Sequence, residues 1–228
     1  MYICTEIKYP MKKIILLTAI AAMFMACGTG STTEAGDAQD AANASESNTT
    51  YTVSAAESAV KWNGTKPTGS HVGTAAVKEG TLSTENGIVT AGNFVIDLTK
   101  LTVNDEGMDA ESKAKLAGHL TTGEIPSSEK PVGFDFFEVE KYPTASFTVT
   151  AGTADSLTGN LTIKDVTKSV TIPYTMTTDE NGVTASSTFT FDRTIWGITY
   201  NSGNFFQNLG DYVIDDIVTL SVSLKATK

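Results

Sequence analysis

Residues 189–200 read FTFDRTIWGITY, and this stretch holds the only arginine of the chain. The charged pair Asp192 and Arg193 sits in its middle. Large apolar side chains recur at every second position on both sides of that pair: Phe189, Phe191, Trp196, Ile198 and Tyr200. Because successive side chains of a strand point to opposite faces, the alternation predicts two strand segments joined at a charged corner.

The lone arginine at this corner has two interpretations. It can form a structural ion pair with Asp192 that pins the corner. It can also bind the anionic head group of a ligand, because a guanidinium donates to phosphate or carboxylate in a fork geometry. The spacing favours the structural pair, and both interpretations stay open at this point.

The chain beyond Tyr51 repeats the two-residue period many times. Apolar side chains alternate with polar ones in several runs: Phe94, Ile96 and Leu98; Val170, Ile172 and Tyr174; Val218, Leu220, Val222 and Leu224. Asn-Gly pairs at 86–87 and 181–182 are typical of tight hairpins. The pattern predicts an all-β body of about eight or more antiparallel strands, arranged as a closed barrel or a two-sheet sandwich.

One segment departs from this pattern and predicts a short helix over residues 109–120. Asp109 is a residue type that caps helix starts, and Glu111 precedes Lys115 by one turn in the stabilising order. Leu116 and Leu120 fall on one face of such a helix.

The first 26 residues have the pattern of a secretory signal peptide. Lys12 and Lys13 precede an apolar run over 14–25, which is shorter than the ~20 residues that span a bilayer. Met11 is the more natural start of this pattern than Met1. Residues 24–28 resemble a bacterial lipoprotein cleavage box with Cys27 as the expected lipidation site, although Phe24 stands where such boxes usually have leucine. The alternative is ordinary cleavage near Ala26 with an incidental cysteine. Several acyl chains on Cys27 would give a stable membrane anchor.

The segment 28–50 contains no Val, Ile, Leu, Met or aromatic residue and no basic residue. A segment of that composition buries too little apolar surface to order itself. The sequence therefore predicts a disordered acidic stalk over 27–50 that lifts a β-rich domain, residues 51–228, off a membrane.

Charge and composition exclude several classes of function. Three of the 16 basic residues and one of the 26 acidic residues lie in 1–26, so the remainder carries a net charge of −12. A strongly acidic body argues against binding to nucleic acid or to an anionic membrane by charge. The two cysteines, Cys4 and Cys27, both lie before the body, so no disulfide framework is expected there.

Enzymatic motifs are absent from the sequence, and no cofactor is expected. His71 and His119 could join Asp109 or Glu124 in binding a metal, but two histidines far apart are weak support for that. We interpret both as structural or rim residues. The acidic residues Asp211, Asp215 and Asp216 are typical of a solvated turn before the last strand.

Aromatic residues crowd two regions of the body. One holds Phe134, Phe136, Phe137, Tyr142 and Phe147; the other holds Trp196, Tyr200, Phe205 and Phe206. Such clusters fill a barrel core or line an apolar pocket, and spacing alone favours the core.

Several motifs together carry a family resemblance over residues 51–224. They are YTV at 51–53, SAVKW at 58–62, HVG at 71–73, GNFVIDL at 92–98, KLAGHL at 115–120, DFFEVEKYPTASF at 135–147, GNLTIKDVTK at 159–168 and FDR at 191–193. This set resembles the YceI-like family of secreted bacterial lipid- or polyisoprenoid-binding proteins. One departure is the segment 121–134, which separates the His-Leu pair from the DFF motif and would add a loop near a barrel mouth.

The resemblance implies an extended lipocalin-like antiparallel barrel with an apolar tunnel for a polyisoprenoid or similar long-chain lipid. Alternation then selects the tunnel-facing side chains, with Leu116 and Leu120 capping a mouth: Trp62, Phe94, Ile96, Phe136, Phe147, Phe189, Phe191 and Trp196. Three polar residues are rim candidates for a head group: His71, His119 and Arg193.

The leading hypothesis is a non-enzymatic carrier, tethered to a membrane of the bacterial envelope, that sequesters or shuttles such a lipid. The outer membrane, on its periplasmic side, is the preferred location, and a homodimer is left open. The alternatives are a ligand-free stress-related envelope protein that acts through protein partners, and a metal enzyme or hydrolase using His71 or His119. A filled interior with an exposed apolar patch would favour the first alternative.

Overall fold

The computed structural model describes residues 32–123 and 136–228, which form a mainly antiparallel β structure. Its strands are β1 (Ala35–Asp37), β2 (Thr49–Val53), β3 (Ala59–Lys66), β4 (Gly69–Glu85), β5 (Ile88–Val103), β6 (Thr144–Gly152), β7 (Ser156–Ile163), β8 (Val166–Pro173), β9 (Thr175–Thr178), β10 (Val183–Asp192) and β11 (Ile217–Thr227). The predicted leader, Cys27 and most of the 121–134 segment lie outside the described residues.

The strands join into one sheet in the order β1-β8-β7-β6-β5-β4-β2-β11-β10-β9. β2 and β3 occupy the same position in the sheet, one after the other, because both pair with β4 and β11. β9 follows β8 after a break at Tyr174 and pairs with β10. The strands therefore occupy eight positions around an antiparallel lipocalin-like barrel, apart from β1. The all-β barrel prediction is confirmed, and the sandwich alternative is wrong.

β1 closes a seam that the other strands leave open. β8 pairs with β7, and only the first residues of β10 pair with β9, so β8 and the rest of β10 have free edges. β1 pairs antiparallel with β8, placing Ala35 opposite Val170, and the Thr33 amide donates to the carbonyl of Thr190 in β10 at 2.9 Å. The side chain of Ala35 packs against the barrel core.

The chain then runs from β1 across the outer face of the barrel, and we call residues 32–48 the strap. Gln39 and Asn160 exchange two hydrogen bonds, of 2.9 and 2.7 Å. The Ala42 amide donates to the carbonyl of Val149 at 3.0 Å, and the amide nitrogen of the Asn48 side chain donates to Thr90. The strap thus contacts β7, β6 and β5 in turn before it leads into β2.

The prediction of a disordered stalk is wrong for its described part, residues 32–50. Composition predicted disorder because this segment brings no large apolar side chain to a core. Its order comes instead from backbone hydrogen bonds to exposed strand edges, which any sequence except proline can make. Asp37, one of the acidic residues, adds an exposed ion pair with Lys168 at 3.3 Å.

Alternation along the strands sorts side chains between the barrel interior and its outer face. In β7 the buried positions are Leu157, Gly159, Leu161 and Ile163. The outward positions are hydroxyl-bearing or polar and pair across strands, as in the Thr158–Thr171 hydrogen bond of 2.8 Å. One face of each strand therefore lines the interior, and the other is covered by short polar side chains.

The predicted helix is present as α1 (Ala110–Thr122). The Asp109 side chain accepts from the Ser112 amide at 2.8 Å, which is the expected cap, and Glu111 pairs with Lys115 at 2.7 Å. Gly123 ends the helix in the left-handed conformation, with its amide donating to the carbonyl of His119. Within the described residues, α1 and the short 3-10 helices are all too short or too polar to cross a membrane.

The seam predicts a sharp difference between two alanines of the strap. Ala35→Asp places a carboxylate against the core and is expected to cost about 1–3 kcal/mol of unfolding free energy. Ala38→Asp adds the same charge at an exposed position one residue beyond β1 and is expected to change it by less than about 0.5 kcal/mol. Urea denaturation of the two variants would measure the difference, and equal midpoints would show that β1 does not seal the barrel.

Candidate functional site

The barrel encloses a cavity of about 420 Å³, within the range of ~300–1,000 Å³ that is typical of ligand sites. Its wall is almost entirely apolar, with contributions from the inward faces of the strands. At one end Tyr174 closes it: the Tyr174 hydroxyl donates to the carbonyl of Thr153 at 2.8 Å and accepts from the Val89 amide at 3.3 Å. We call this the closed end.

The opposite end, which we call the mouth end, carries the β3–β4 hairpin, the end of β10, the start of β11 and α1. The cavity wall there includes the exposed residues Asp211 and Tyr212, so the cavity opens to the surface at this end.

Nine of the ten predicted tunnel residues line this cavity: Trp62, Phe94, Ile96, Leu116, Leu120, Phe136, Phe147, Phe189 and Phe191. Trp62 and Phe147 occupy space that neighbouring glycines leave. A Cβ atom at Gly73 would lie 2.5 Å from the Trp62 ring, and one at Gly159 would lie 2.4 Å from the Phe147 ring. A Cβ atom would also lie 1.8 Å from the Thr102 carbonyl oxygen at Gly73 and 2.7 Å from the Thr148 carbonyl oxygen at Gly159. Glycine is therefore required at both positions, because neither the ring nor the paired backbone leaves room for a larger residue.

Trp196 is the exception, since it does not line the cavity. Its side chain is 1% exposed, its Nε1 donates to the carbonyl of Leu161 at 3.1 Å, and its ring meets that of Phe191 edge-on at 5.4 Å. Trp196 therefore lies behind the cavity wall, where it supports Phe191.

The second predicted strand of the corner, residues 196–200, is also not a strand. A 3-10 helix, Arg193–Trp196, follows β10 directly. The Asp192 side chain caps this helix by accepting from the Thr194 amide at 2.8 Å, and Gly197 ends it in the left-handed conformation. The alternation of Trp196 and Ile198 is typical of a strand with one buried face. Both side chains are buried here, but a helical turn places them there instead of a strand.

Arg193 stabilises the mouth end through buried hydrogen bonds. Its side chain is 3% exposed and donates to the carbonyls of Asp215, Ile198 and Ile214 and to the carboxylate of Asp216 at 2.7–3.3 Å. Burial lowers the pKa of Arg193, against the opposing effect of nearby carboxylates, first among them Asp216. With four donors engaged, Arg193 is not free to serve as the head-group ligand that the sequence suggested.

The ion-pair partner of Arg193 also differs from the prediction. Asp192 caps a helix, whereas Asp216 pairs with the guanidinium and also accepts from Ser202 Oγ at 2.9 Å and from Asn204 Nδ2 at 2.7 Å. The interpretation of Asp216 as part of a solvated turn is therefore wrong. A partner 23 residues away cannot be inferred from local spacing.

His119 belongs to an aromatic cluster at the mouth end. Its ring lies 5.3 Å from Phe136 and 5.1 Å from Tyr200, edge-on to both, and Phe136 and Tyr200 are 5.4 Å apart. The Phe137 amide donates to the carbonyl of Leu120 at 3.1 Å, which ties the chain after residue 135 back to α1. The cluster and α1 together narrow the cavity opening.

His71 lies on the wall near the same opening and pairs with Asp105 at 2.6 Å. The other oxygen of Asp105 accepts from the Val72 amide at 2.7 Å. Burial raises the pKa of Asp105, but the His71 and Val72 hydrogen bonds outweigh it, so the net shift is downward. Within residues 32–123 and 136–228, no three His, Cys, Asp or Glu side chains meet in a way that could hold a metal ion.

The family model of the YceI-like domain matches residues 51–226 of this chain. The chain belongs to the YceI-like family. The matched range holds the whole barrel except β1 and the rest of the strap, so the element that seals the β8–β10 seam lies before the family domain. The comparison with curated proteins found no match.

Solved structures include similar barrels. BcnA from Burkholderia cenocepacia is 21% identical, with a TM-score of 0.52, and the alignment covers 75% of this chain and 98% of BcnA. A polyisoprenoid binding domain from Saccharophagus degradans, implicated in plant cell wall breakdown, is 13% identical, with a TM-score of 0.48, and the alignment covers 78% of this chain and 97% of that domain. At 21% identity, the likeness to BcnA supports the fold of the YceI-like domain and says nothing about its function.

The buried bonds of Arg193 generate a stability prediction. Arg193→Met leaves the Asp216 carboxylate and three carbonyls without their donor, and we expect a loss of about 3–5 kcal/mol in unfolding free energy. Lys115→Met removes an exposed ion pair on α1 and is expected to cost less than about 0.5 kcal/mol. Thermal and urea unfolding would measure both. An Arg193→Met protein of unchanged stability that had lost a bound lipid would restore the head-group interpretation.

Proposed function

We propose that this YceI-like protein binds a polyisoprenoid or another long-chain lipid, without chemical conversion, in the cavity of its barrel. The observation that carries the proposal is the apolar cavity itself, which is closed by Tyr174 at one end and open at the other. A filled interior would have favoured the ligand-free alternative, and the cavity argues against it. The choice of a prenyl-type lipid follows the resemblance to the YceI-like family.

Burial of the chain is the main source of free energy for binding. Each methylene moved from water into the cavity contributes about 0.8 kcal/mol. Ten to fifteen such groups give roughly 8–12 kcal/mol, from which the cost of immobilising the ligand is subtracted. Every two further methylenes tighten binding roughly tenfold, so the affinity grows with the length of the buried chain and needs no strong polar contact.

The polar groups near the mouth are occupied by other parts of the protein. His71 is paired with Asp105, His119 is packed between aromatic rings, and Arg193 is bonded to backbone carbonyls and Asp216. These contacts support positioning and closure rather than acid–base chemistry, because each of the three side chains is already engaged with another part of the protein. A binding role therefore fits this site better than hydrolysis.

The leader and Cys27 support a location in the bacterial envelope with a lipid anchor. In such a setting the protein would hold its lipid away from water, either storing it or carrying it between membranes. The periplasmic side of the outer membrane is the location we propose. Metabolic labelling with a clickable fatty acid would test the anchor, with loss of label in Cys27→Ser as the expected result.

The test of the ligand uses residues 28–228, which contain every strand and α1, purified from a bacterial host. Native mass spectrometry followed by solvent extraction is expected to show about one long-chain lipid per protein. A stable protein that carries no lipid and takes up none from prenyl or fatty-acyl probes would overturn the proposal.

A pair of variants separates cavity binding from adhesion to the surface. Ala185 lines the cavity, whereas its neighbour Thr184 points outward from β10. Ala185→Phe fills part of the cavity and is expected to reduce lipid occupancy at least about tenfold, because the chain loses the volume it would enter. Thr184→Phe adds the same ring outside and is expected to leave occupancy unchanged. Equal occupancy in both variants would place the lipid elsewhere.

A further inference from the structure

The exposed large apolar side chains of the described residues are all found at the mouth end. They are Val72, Ile195, Phe205, Phe206, Tyr212 and Ile217. Val72 lies near the β3–β4 hairpin, and Ile217 begins β11 opposite the last residue of β10. Within residues 32–123 and 136–228, no large apolar side chain is exposed at the closed end or on the sides of the barrel. Apolar exposure confined to one end of a protein marks an interaction surface.

Phe205, Phe206 and Tyr212 are the most exposed of these residues, at 58%, 48% and 78%. We call them the aromatic triad. They lie on the loop between the 3-10 helix at Arg193–Trp196 and β11. Tyrosine settles at the boundary between lipid head groups and acyl chains. Phenylalanine places an apolar ring in the same boundary region when a surface segment binds a bilayer.

Backbone hydrogen bonds within the loop fix the positions of Phe205 and Phe206. The amides of Phe205 and Phe206 donate to the carbonyl of Ser202, at 3.1 and 2.9 Å. Ser202 is fully buried and donates to Asp216, the partner of Arg193. The exposure of the rings is therefore a property of an ordered loop, and not of a segment that could fold them back cheaply.

The triad adjoins the cavity. Tyr212 itself forms part of the cavity wall, together with Tyr200 and Ile214 from the same loop. A lipid that leaves the cavity at this end passes Tyr212 of the triad. The surface that the triad binds is therefore continuous with the path of the ligand.

Charge selects the kind of surface. Asp211 is exposed beside Tyr212, and the chain beyond residue 26 carries a net charge of −12. An anionic surface would be repelled by this end of the molecule. A zwitterionic bilayer imposes no such cost, and it accepts the rings through apolar contact.

The position of the strap gives an independent argument for which end of the barrel faces the membrane. Cys27 precedes Thr33 by six residues, which span at most about 20 Å. Thr33 is bonded to Thr190, two residues from the mouth-end terminus of β10 and seven from its other terminus, Val183. At ~3.3 Å per residue these distances are about 7 and 23 Å. An anchor at Cys27 thus reaches a membrane at the mouth end more readily than one at the closed end.

We propose that the mouth end docks on a zwitterionic lipid bilayer with the aromatic triad seated at the interface. The inference rests on the proposed lipid-binding function and adds the surface from which the ligand is taken. A long apolar chain exposed to water on transfer would lose about 0.8 kcal/mol per methylene. With the mouth seated on the bilayer, the chain passes from acyl layer to cavity without that exposure.

A depth measurement tests the docking directly. Residues 28–228 are prepared with Phe205→Trp or with Glu180→Trp, which places the same reporter in the exposed turn of the closed end. Each protein is mixed with phosphatidylcholine vesicles with or without bromine on the acyl chains. Quenching by the brominated chains is expected for Phe205→Trp, with the Glu180→Trp signal no more quenched than that of the parent protein. Equal quenching at both ends, or none at either end, overturns the proposal.

A loss-of-contact variant gives the second measurement. Phe205→Ser combined with Phe206→Ser is expected to reduce partition onto phosphatidylcholine vesicles at least about tenfold in a flotation assay. Thr178→Ser combined with Glu180→Ser is the matched control at the closed end and is expected to leave partition unchanged. Circular dichroism and the unfolding midpoint of both variants check that the barrel is intact.

The two proposals fail in distinguishable ways. Docking without a co-purified or acquired lipid would overturn the proposed function and leave the membrane surface standing. A bound lipid without vesicle partition would overturn the docking, and it would direct attention to a protein that covers the triad. Unchanged partition of the Phe205→Ser, Phe206→Ser protein would also overturn the docking, because the rings would then contribute nothing to it.

Discussion

The closure of the β8–β10 seam is the constraint on which the rest of the structure depends. An open barrel would leave the edges of β8 and β10 with unpaired backbone groups and would expose the interior to water. β1 covers the gap between them: three of its residues pair with β8, and the Thr33 amide just before it donates to Thr190 of β10. The apolar cavity exists only because the wall around it is continuous, so the capacity to hold a lipid follows from a segment that carries no large apolar side chain.

The seam also holds the chain that follows Cys27, the proposed lipidation site, against the barrel. A free stalk between Cys27 and Thr49 would let the body rotate and move away from the membrane. The strap takes up most of that length by lying on the outer face, and it leaves only a few residues between Cys27 and the first described contact. A membrane anchor attached there would restrict both the distance and the orientation of the mouth.

At the mouth end, one buried charge pair organises the loop that surrounds the opening. Arg193 and Asp216 connect the end of β10, the loop before β11 and Ser202 through hydrogen bonds that satisfy both charges. A buried guanidinium is costly unless most of its donors are engaged, and here they are. The consequence is an ordered loop whose aromatic side chains face solvent beside the cavity. The apolar cavity and the exposed apolar surface thus lie side by side.

The periodic patterns in the sequence determined much of this protein. The two-residue alternation identified the strands and their inward faces, because a pleated strand has no other way to separate polar and apolar side chains. Six of the ten predicted tunnel residues lie on strands and line the cavity for this reason: Trp62, Phe94, Ile96, Phe147, Phe189 and Phe191. Capping chemistry at Asp109 likewise located α1, because it depends on residues within one turn.

Tertiary structure decided everything that depends on partners distant in the chain. The order of the strap comes from the free edges of β8 and β10, which are more than a hundred residues away and invisible in its own composition. The turn of the chain after β10 pairs Arg193 with Asp216 rather than Asp192. The same turn places Trp196 behind Phe191 instead of in the cavity wall. Local pattern encodes which face of an element is apolar. Only the closed barrel decides which edges remain open, which charges meet and which aromatic rings are left in solvent.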